Sequence, residues 1–266
     1  MSPTIVLITG ANRGLGEGIL KRYLAKPDHI VIAANRNPDH ETSKALADLP
    51  KGPGSRLIVV KIDATNETDA STAIQELKDQ GIDHLDIVIA NAAVIFPFVK
   101  IEDAKIEDLR TTTETNFVGF FLLYQATLPL LLKSERPTWI TIGSGAGSIV
   151  LQNFAPIKPQ SPPNSPTLFT FNQLPVPNSV YGPIKAAQHW LTKRINAEEE
   201  KITAFVMSPG WVQTEGGNES AKLLGLEEAP QPVEPTCDGM VEVFDKATKE
   251  SHGGKFLTWE GKDESW

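Results

Sequence analysis

Tyr181 and Lys185 stand four residues apart in YGPIK (181–185), a spacing that puts two side chains on one face of a helix. A free phenol titrates near ~10, so alone it is a sluggish base at neutral pH. Lowering it by about three units takes roughly 4 kcal/mol, and one ammonium about 4 Å away supplies roughly that at an effective dielectric of about 20. Lys185 could therefore tune Tyr181 to give a proton to a carbonyl oxygen, or to take one from an alcohol. Tyrosine and lysine at this spacing are also common on helix surfaces, so the pair needs company before it carries chemistry.

The first company is TGANRGLG (9–16), which follows the apolar run TIVLIT (4–9) and opens a helix. Gly10, Gly14 and Gly16 let the backbone turn tightly and approach a pyrophosphate. The helix start then offers free N–H groups and a positive dipole end. A plain strand-to-helix turn would also explain the glycines, but their position after a buried first strand favours a nucleotide. The second strand ends AANRNP, with Asn35 and Arg36 where many such folds place an acidic residue for a ribose 2′-hydroxyl. Arg13 lies inside the glycine loop. Each arginine taken singly reads as a solvated surface residue. Together they suit a 2′-phosphate, which guanidinium matches bidentately, and so favour NADP(H).

Positioning these groups requires alternating elements. Strands are expected at 4–9, 29–34, 56–62, 85–90, 138–143, 202–207 and 255–259. Helices are expected over 14–25, from the second strand to about 49, and over 67–80, 104–133, 180–200 and 233–249. The alternation predicts an α/β fold, doubly wound, with a single parallel sheet of about seven strands and helices on both faces. Residues 211–228 read as a lid, with Trp211 as either a substrate contact or a core residue.

TGANRGLG, ANAA (90–93), Asn116, Ser144, YGPIK and SPGWVQT (208–214) occur in one order. That series resembles the short-chain dehydrogenase/reductase superfamily over nearly the whole chain. The resemblance implies a Rossmann fold and an NADP(H)-dependent oxidoreductase acting on a small-molecule carbonyl substrate. It implies a catalytic set of Asn116, Ser144, Tyr181 and Lys185: Ser144 holds the substrate oxygen, Tyr181 exchanges the proton, and Lys185 and Asn116 connect it to water. It implies cofactor contacts from Gly10, Asn12, Arg13, Gly14, Leu15, Gly16, Arg36, Asp63, Asn91, Tyr181, Lys185, Pro209, Gly210, Val212 and Thr214. Ala93 stands where the family usually has glycine. The stretch TKRINAEEEKITAFVMSPGWVQTEGGNESAKLLG, IVIANAA and the ATKE…GGKF ending look like fungal norsolorinic-acid-ketoreductase-type enzymes. That likeness implies a bulky aromatic or polyketide-like ketone.

Ser144 and Tyr181 lie further apart than in most relatives, because a stretch at about 152–179 holds seven prolines. Such a stretch is neither regular helix nor central strand. It reads as an insertion within one domain covering 1–266. It either walls the substrate site with Phe154, Phe169, Phe171 and Leu174, or is a surface excursion that alters oligomerisation. In a third reading Ser179 takes the place of Ser144.

The totals set outer limits. A net charge of −8 argues against general nucleic-acid binding, so an anion site must be local. The single Cys237 excludes an internal disulfide and suits a reducing compartment. The five histidines are scattered, without metal-ligand spacing. The start of the chain lacks the pattern of a secretory signal. The most apolar stretch, 117–132, is broken by Gly119, Tyr124, Gln125 and Pro129, as in a buried helix. A cytoplasmic protein without membrane or nucleic-acid partners is expected, with monomer and homo-oligomer both open. Two alternatives stand beside ketone reduction: an NAD(P)-dependent alcohol dehydrogenase working oxidatively, and a catalytically silent NADP-binding protein.

Overall fold

The computed structural model describes residues 3–150 and 177–266. The Pro-rich stretch therefore lies outside the described residues except for 177–179, and so do Phe154, Phe169, Phe171 and Leu174. Seven strands form one sheet: β1 (Thr4–Thr9), β2 (His29–Asn35), β3 (Arg56–Lys61), β4 (Ile87–Ala90), β5 (Thr138–Ile142), β6 (Thr203–Ser208) and β7 (Phe256–Thr258). Their order is β3-β2-β1-β4-β5-β6-β7, and every pairing is parallel. The chain winds outward from β1 to β3, then crosses back to place β4 on the other side of β1. That reversal opens a crevice at the carboxyl ends of β1 and β4, where open α/β sheets bind ligands.

Side-chain alternation in β1 feeds both layers. Val6 and Ile8 pack under α1 (Gly14–Ala25) and α8 (Val233–Asp245), with Ile19, Tyr23, Phe205 and Met240. Ile5 and Leu7 face the opposite cluster, with residues of α3 (Asp69–Asp79), α5 (Gly119–Leu131) and α6 (Tyr181–Glu198). Trp139 anchors that second layer. It is fully buried, meets Phe120 and Tyr124 edge-on, and donates from Nε1 to Thr141 Oγ1 at 3.1 Å.

The helices depart from the expected pattern at four places. The one after β2 is short: α2 (Glu41–Lys44) runs into a 3-10 turn at Ala45–Asp48. The helix expected over 104–133 begins later, as α4 (Ile106–Thr113), and passes through a π-helical turn (Glu114–Val118) before α5. Residues 215–222 form α7 (Glu215–Lys222), where the sequence reads only as a lid. The last helix is divided into α8 and α9 (Lys249–His252). Among the described residues no helix is long and apolar enough to cross a membrane, and no His/Cys/Asp/Glu group could hold a metal ion.

Candidate active site

The glycine loop leaves β1 at the crevice. Gly16 lies so close to the incoming loop that a Cβ there would sit 2.1 Å from Gly10 O and 2.6 Å from Asn91 Nδ2. A side chain is therefore excluded, and the loop stays folded on itself with space above it. Asn91 holds the fold from below, donating from Nδ2 to Thr9 O at 2.8 Å and Gly10 O at 3.2 Å. Asn12 donates to Thr42 Oγ1 at 2.6 Å, tying the loop to α2. Asn35 turns inward: it is buried, and its Oδ1 accepts from Ala11 N–H at 2.9 Å. It braces the loop, which leaves Arg36 as the group at the end of β2 that faces the crevice.

Arg13 and Arg36 both line the cleft. Arg13 pairs with Glu215 at the start of α7. Arg36 lies close enough to act on Asp63. Partial burial raises that carboxyl, but hydrogen bonds from Thr65 and attraction from Arg36 and Lys61 hold it below the usual range. On the far wall, Pro209, Gly210 and Val212 follow β6, and the Thr214 side chain accepts from Gly217 N–H at 3.1 Å, capping α7. The donor set fits a dinucleotide: a glycine cradle at a helix start, two guanidiniums at one end, and a lysine at the other.

At that other end α6 meets the end of β5. Tyr181 opens α6, where the helix dipole favours a phenolate. Ser144 leaves β5 with its Oγ accepting from Ala146 N–H at 3.1 Å, and it lines the cleft beside Tyr181. Lys185 is 2 % exposed and places Nζ 5.6 Å from the Tyr181 ring centroid, where it donates to Ile142 O at 2.7 Å. Burial pushes Lys185 down to about 7. Burial also raises Tyr181 above its ordinary value, against a smaller lowering from nearby Ser144. The expected tuning is therefore reversed. A lysine that is half neutral near pH 7 has little charge with which to pull the phenol down, and desolvation outweighs it.

Ser144, Tyr181 and Lys185 thus come together, and Ser179 does not replace Ser144: its Oγ donates to Val99 O at 2.8 Å. Asn116 sits in the π-helical turn, fully buried. Its Oδ1 accepts from Val94 N–H at 2.8 Å, and its Nδ2 donates to Val94 O at 2.7 Å. Its own carbonyl accepts from Gln188 Nε2 at 2.5 Å. A π-turn re-aims one residue within a helix, and here it re-aims Asn116 toward the 94–98 segment.

The cleft that these residues share measures about 1740 Å³, large for a small-molecule pocket and suited to a dinucleotide with a second ligand. Its walls include Ile95, Phe96 and Phe98, which the sequence reading missed, and Trp211. Phe96 and Phe98 meet edge-on with centroids 5.3 Å apart. Trp211 is 8 % exposed and donates from Nε1 to Gly217 O at 3.0 Å and Ser220 Oγ at 2.8 Å, so it is mainly a core anchor for α7. Gln188 and His189 were also missed. The signal was present: 181, 185, 188, 189 and 192 recur at helical spacing, a polar stripe on a buried face.

The sequence model of the short chain dehydrogenases matches residues 4–156. A short-chain dehydrogenase of Neurospora crassa is 36% identical over 99% of this chain and 98% of its own. A norsolorinic acid ketoreductase of Dothistroma septosporum is 36% identical over 97% of this chain and 90% of its own. Among solved structures, the NADPH-bound carbonyl reductase from chicken fatty liver superposes with a TM-score of 0.79 at 26% identity, with both chains fully covered. With the glycine loop, the Ser144–Tyr181–Lys185 cluster and the seven-stranded parallel sheet in place, the chain belongs to the short chain dehydrogenase family, as an oxidoreductase of the ketoreductase and carbonyl reductase type.

Proposed function

We propose that this protein reduces a bulky aromatic or polyketide-like ketone to its alcohol with NADPH, and that Tyr181 is the proton donor. The observation that carries this reading is the Tyr181 hydroxyl, which shares the cleft with Ser144, stands beside a buried lysine and is held protonated by desolvation. A phenol that keeps its proton at neutral pH is in the state a reduction needs. Bound NADPH would supply the hydride. Arg13 and Arg36 would hold its 2′-phosphate, Gly10 to Gly16 its pyrophosphate, and Lys185 with Pro209–Thr214 its nicotinamide end.

Ser144 Oγ donates to the substrate oxygen and fixes its position. Tyr181 gives its proton to that oxygen. Lys185, taking up a proton from water as the phenolate forms, stabilises that phenolate as the ammonium. Ile95, Phe96 and Phe98 offer an apolar wall to an aromatic substrate. The relatives named as norsolorinic acid ketoreductases support the substrate class, and the NADPH-bound carbonyl reductase supports the cofactor.

The test is NADPH consumption against norsolorinic acid, 9,10-phenanthrenequinone, aryl ketones and small aldehydes, with NADH run in parallel. Turnover is expected with NADPH and aromatic carbonyls, and Tyr181→Phe should lower kcat by about 10²–10⁴-fold. A Tyr181→Phe variant as fast as the parent would sink the proton-donor role. Tight NADPH binding without turnover of any carbonyl would favour the silent binding protein.

A further inference from the structure

Gln188 and His189 lie in α6, three and four residues beyond Lys185 and on the same buried face. Each keeps one buried polar atom without a hydrogen-bond partner among the described residues: Gln188 Oε1 and His189 Nδ1. An unpartnered buried polar atom destabilises the fold, and an apolar residue would avoid it. The opposite end of each side chain should therefore explain its presence. For Gln188 that end is the bond to Asn116 O. For His189 it is Nε2, which accepts the Ser144 backbone N–H at 3.3 Å.

The surroundings of His189 are shaped to that one contact. A Cβ on Gly143 would lie 2.6 Å from His189 Nε2, and one on Gly147 2.8 Å from its Cε1. The two glycines flanking Ser144 thus leave the space that the imidazole fills. Phe256 covers the ring at a centroid distance of 4.6 Å, and Trp266 lies 6.1 Å away. A backbone N–H can only donate, so Nε2 is the unprotonated nitrogen and the proton sits on Nδ1. Burial, helped by Lys185, lowers His189 to about 3, so the ring remains a neutral acceptor wherever the protein would work.

We propose that His189 is a positioning residue for the reaction: through Nε2 it anchors the main chain of Ser144, and so aims Ser144 Oγ at Tyr181 and at the substrate oxygen. The inference rests on the role given to Ser144 above. It predicts a particular pattern among variants. His189→Phe keeps an aromatic ring but removes the acceptor. His189→Gln restores an acceptor at about the reach of Nε2.

The experiment is steady-state reduction of 9,10-phenanthrenequinone with NADPH, alongside NADPH fluorescence titration to confirm a folded nucleotide site. His189→Phe should lower kcat by about tenfold or more while the NADPH Kd stays within about twofold, since a misplaced group costs rate and not nucleotide binding. His189→Gln should recover most of that loss. In a Ser144→Ala background His189→Phe should cause no further loss, because the two act as one unit. Parent-like kcat in His189→Phe, failure of His189→Gln to recover, or losses that add to those of Ser144→Ala would each overturn the inference while leaving Ser144 in place. A fully active Ser144→Ala would instead remove the reading of Ser144 itself, and the anchoring role with it.

Discussion

A lysine buried to 2 % exposure beside a phenol makes the site sensitive to pH in a way a surface lysine would not. Burial lowers Lys185 from the ordinary 10.5 of an unfolded lysine to about 7 in the fold. Between those values the unfolded chain binds more protons, so stability rises with pH across that window. Cys237 works against this at higher pH: burial pushes its thiol up to about 12, so stability falls as the unfolded thiol ionises above its ordinary 9.0. From pH 7 to pH 9 the lysine dominates and contributes about 2 kcal/mol of rising stability. Urea titrations of the cofactor-free protein at those two pH values, compared with Lys185→Met, measure it. The parent should gain stability over the variant as pH rises; an equal slope in both would show that Lys185 is not held neutral. The spacing of Tyr181 and Lys185 was legible in the sequence, but the sign of their coupling was not. Spacing reports adjacency, whereas sign depends on how much water the fold removes from both groups.

At the scale of elements, the strands and the glycine loop could be read because each rests on local pattern: continuous apolar runs for doubly covered strands, and glycines at a strand end. The π-helical turn at 114–118 could not, because 104–133 carries an unbroken helical pattern and one extra residue in a turn leaves no compositional trace. Helix α7 was legible only as a lid, because GGN in EGGNESAK argues against helix. The Thr214 cap and the Trp211 bonds to Gly217 and Ser220 override that propensity. At its first residue α7 carries Glu215, which occupies Arg13. A cofactor 2′-phosphate must compete with that carboxylate. An exposed pair of this kind contributes up to about 1 kcal/mol, which is about fivefold in a dissociation constant. Glu215→Gln should therefore tighten NADPH by up to that factor and leave NADH unchanged in paired fluorescence titrations. Equal changes for both nucleotides would show that Arg13 does not read the 2′ position.

The whole molecule is two apolar layers separated by one parallel sheet, and the site sits where strand order reverses at its edge. The layer containing Trp139 also carries α5 and α6; the π-helical turn leading into α5 delivers Asn116, and α6 delivers Tyr181 and Lys185. Trp139→Ala should cost about 3–5 kcal/mol in thermal or urea unfolding, the usual range for a large buried aromatic; a cost under about 1 kcal/mol would mean that the layer repacks around the gap. The cleft itself is bridged. Helix α7 touches the glycine-loop wall through Glu215 and Arg13, and the 94–98 wall through Gly216, where an added Cβ would fall 1.6 Å from Ile95 Cδ1. Among the described residues the contacts of that span include an exposed ion pair at one end and a methyl contact at the other. A long ligand bracketed between the walls waits for the bridge to part, whereas a small alcohol beside Phe96 need not. On the function proposed above, traffic through the site would acquire an order, with nucleotide first to arrive and last to depart.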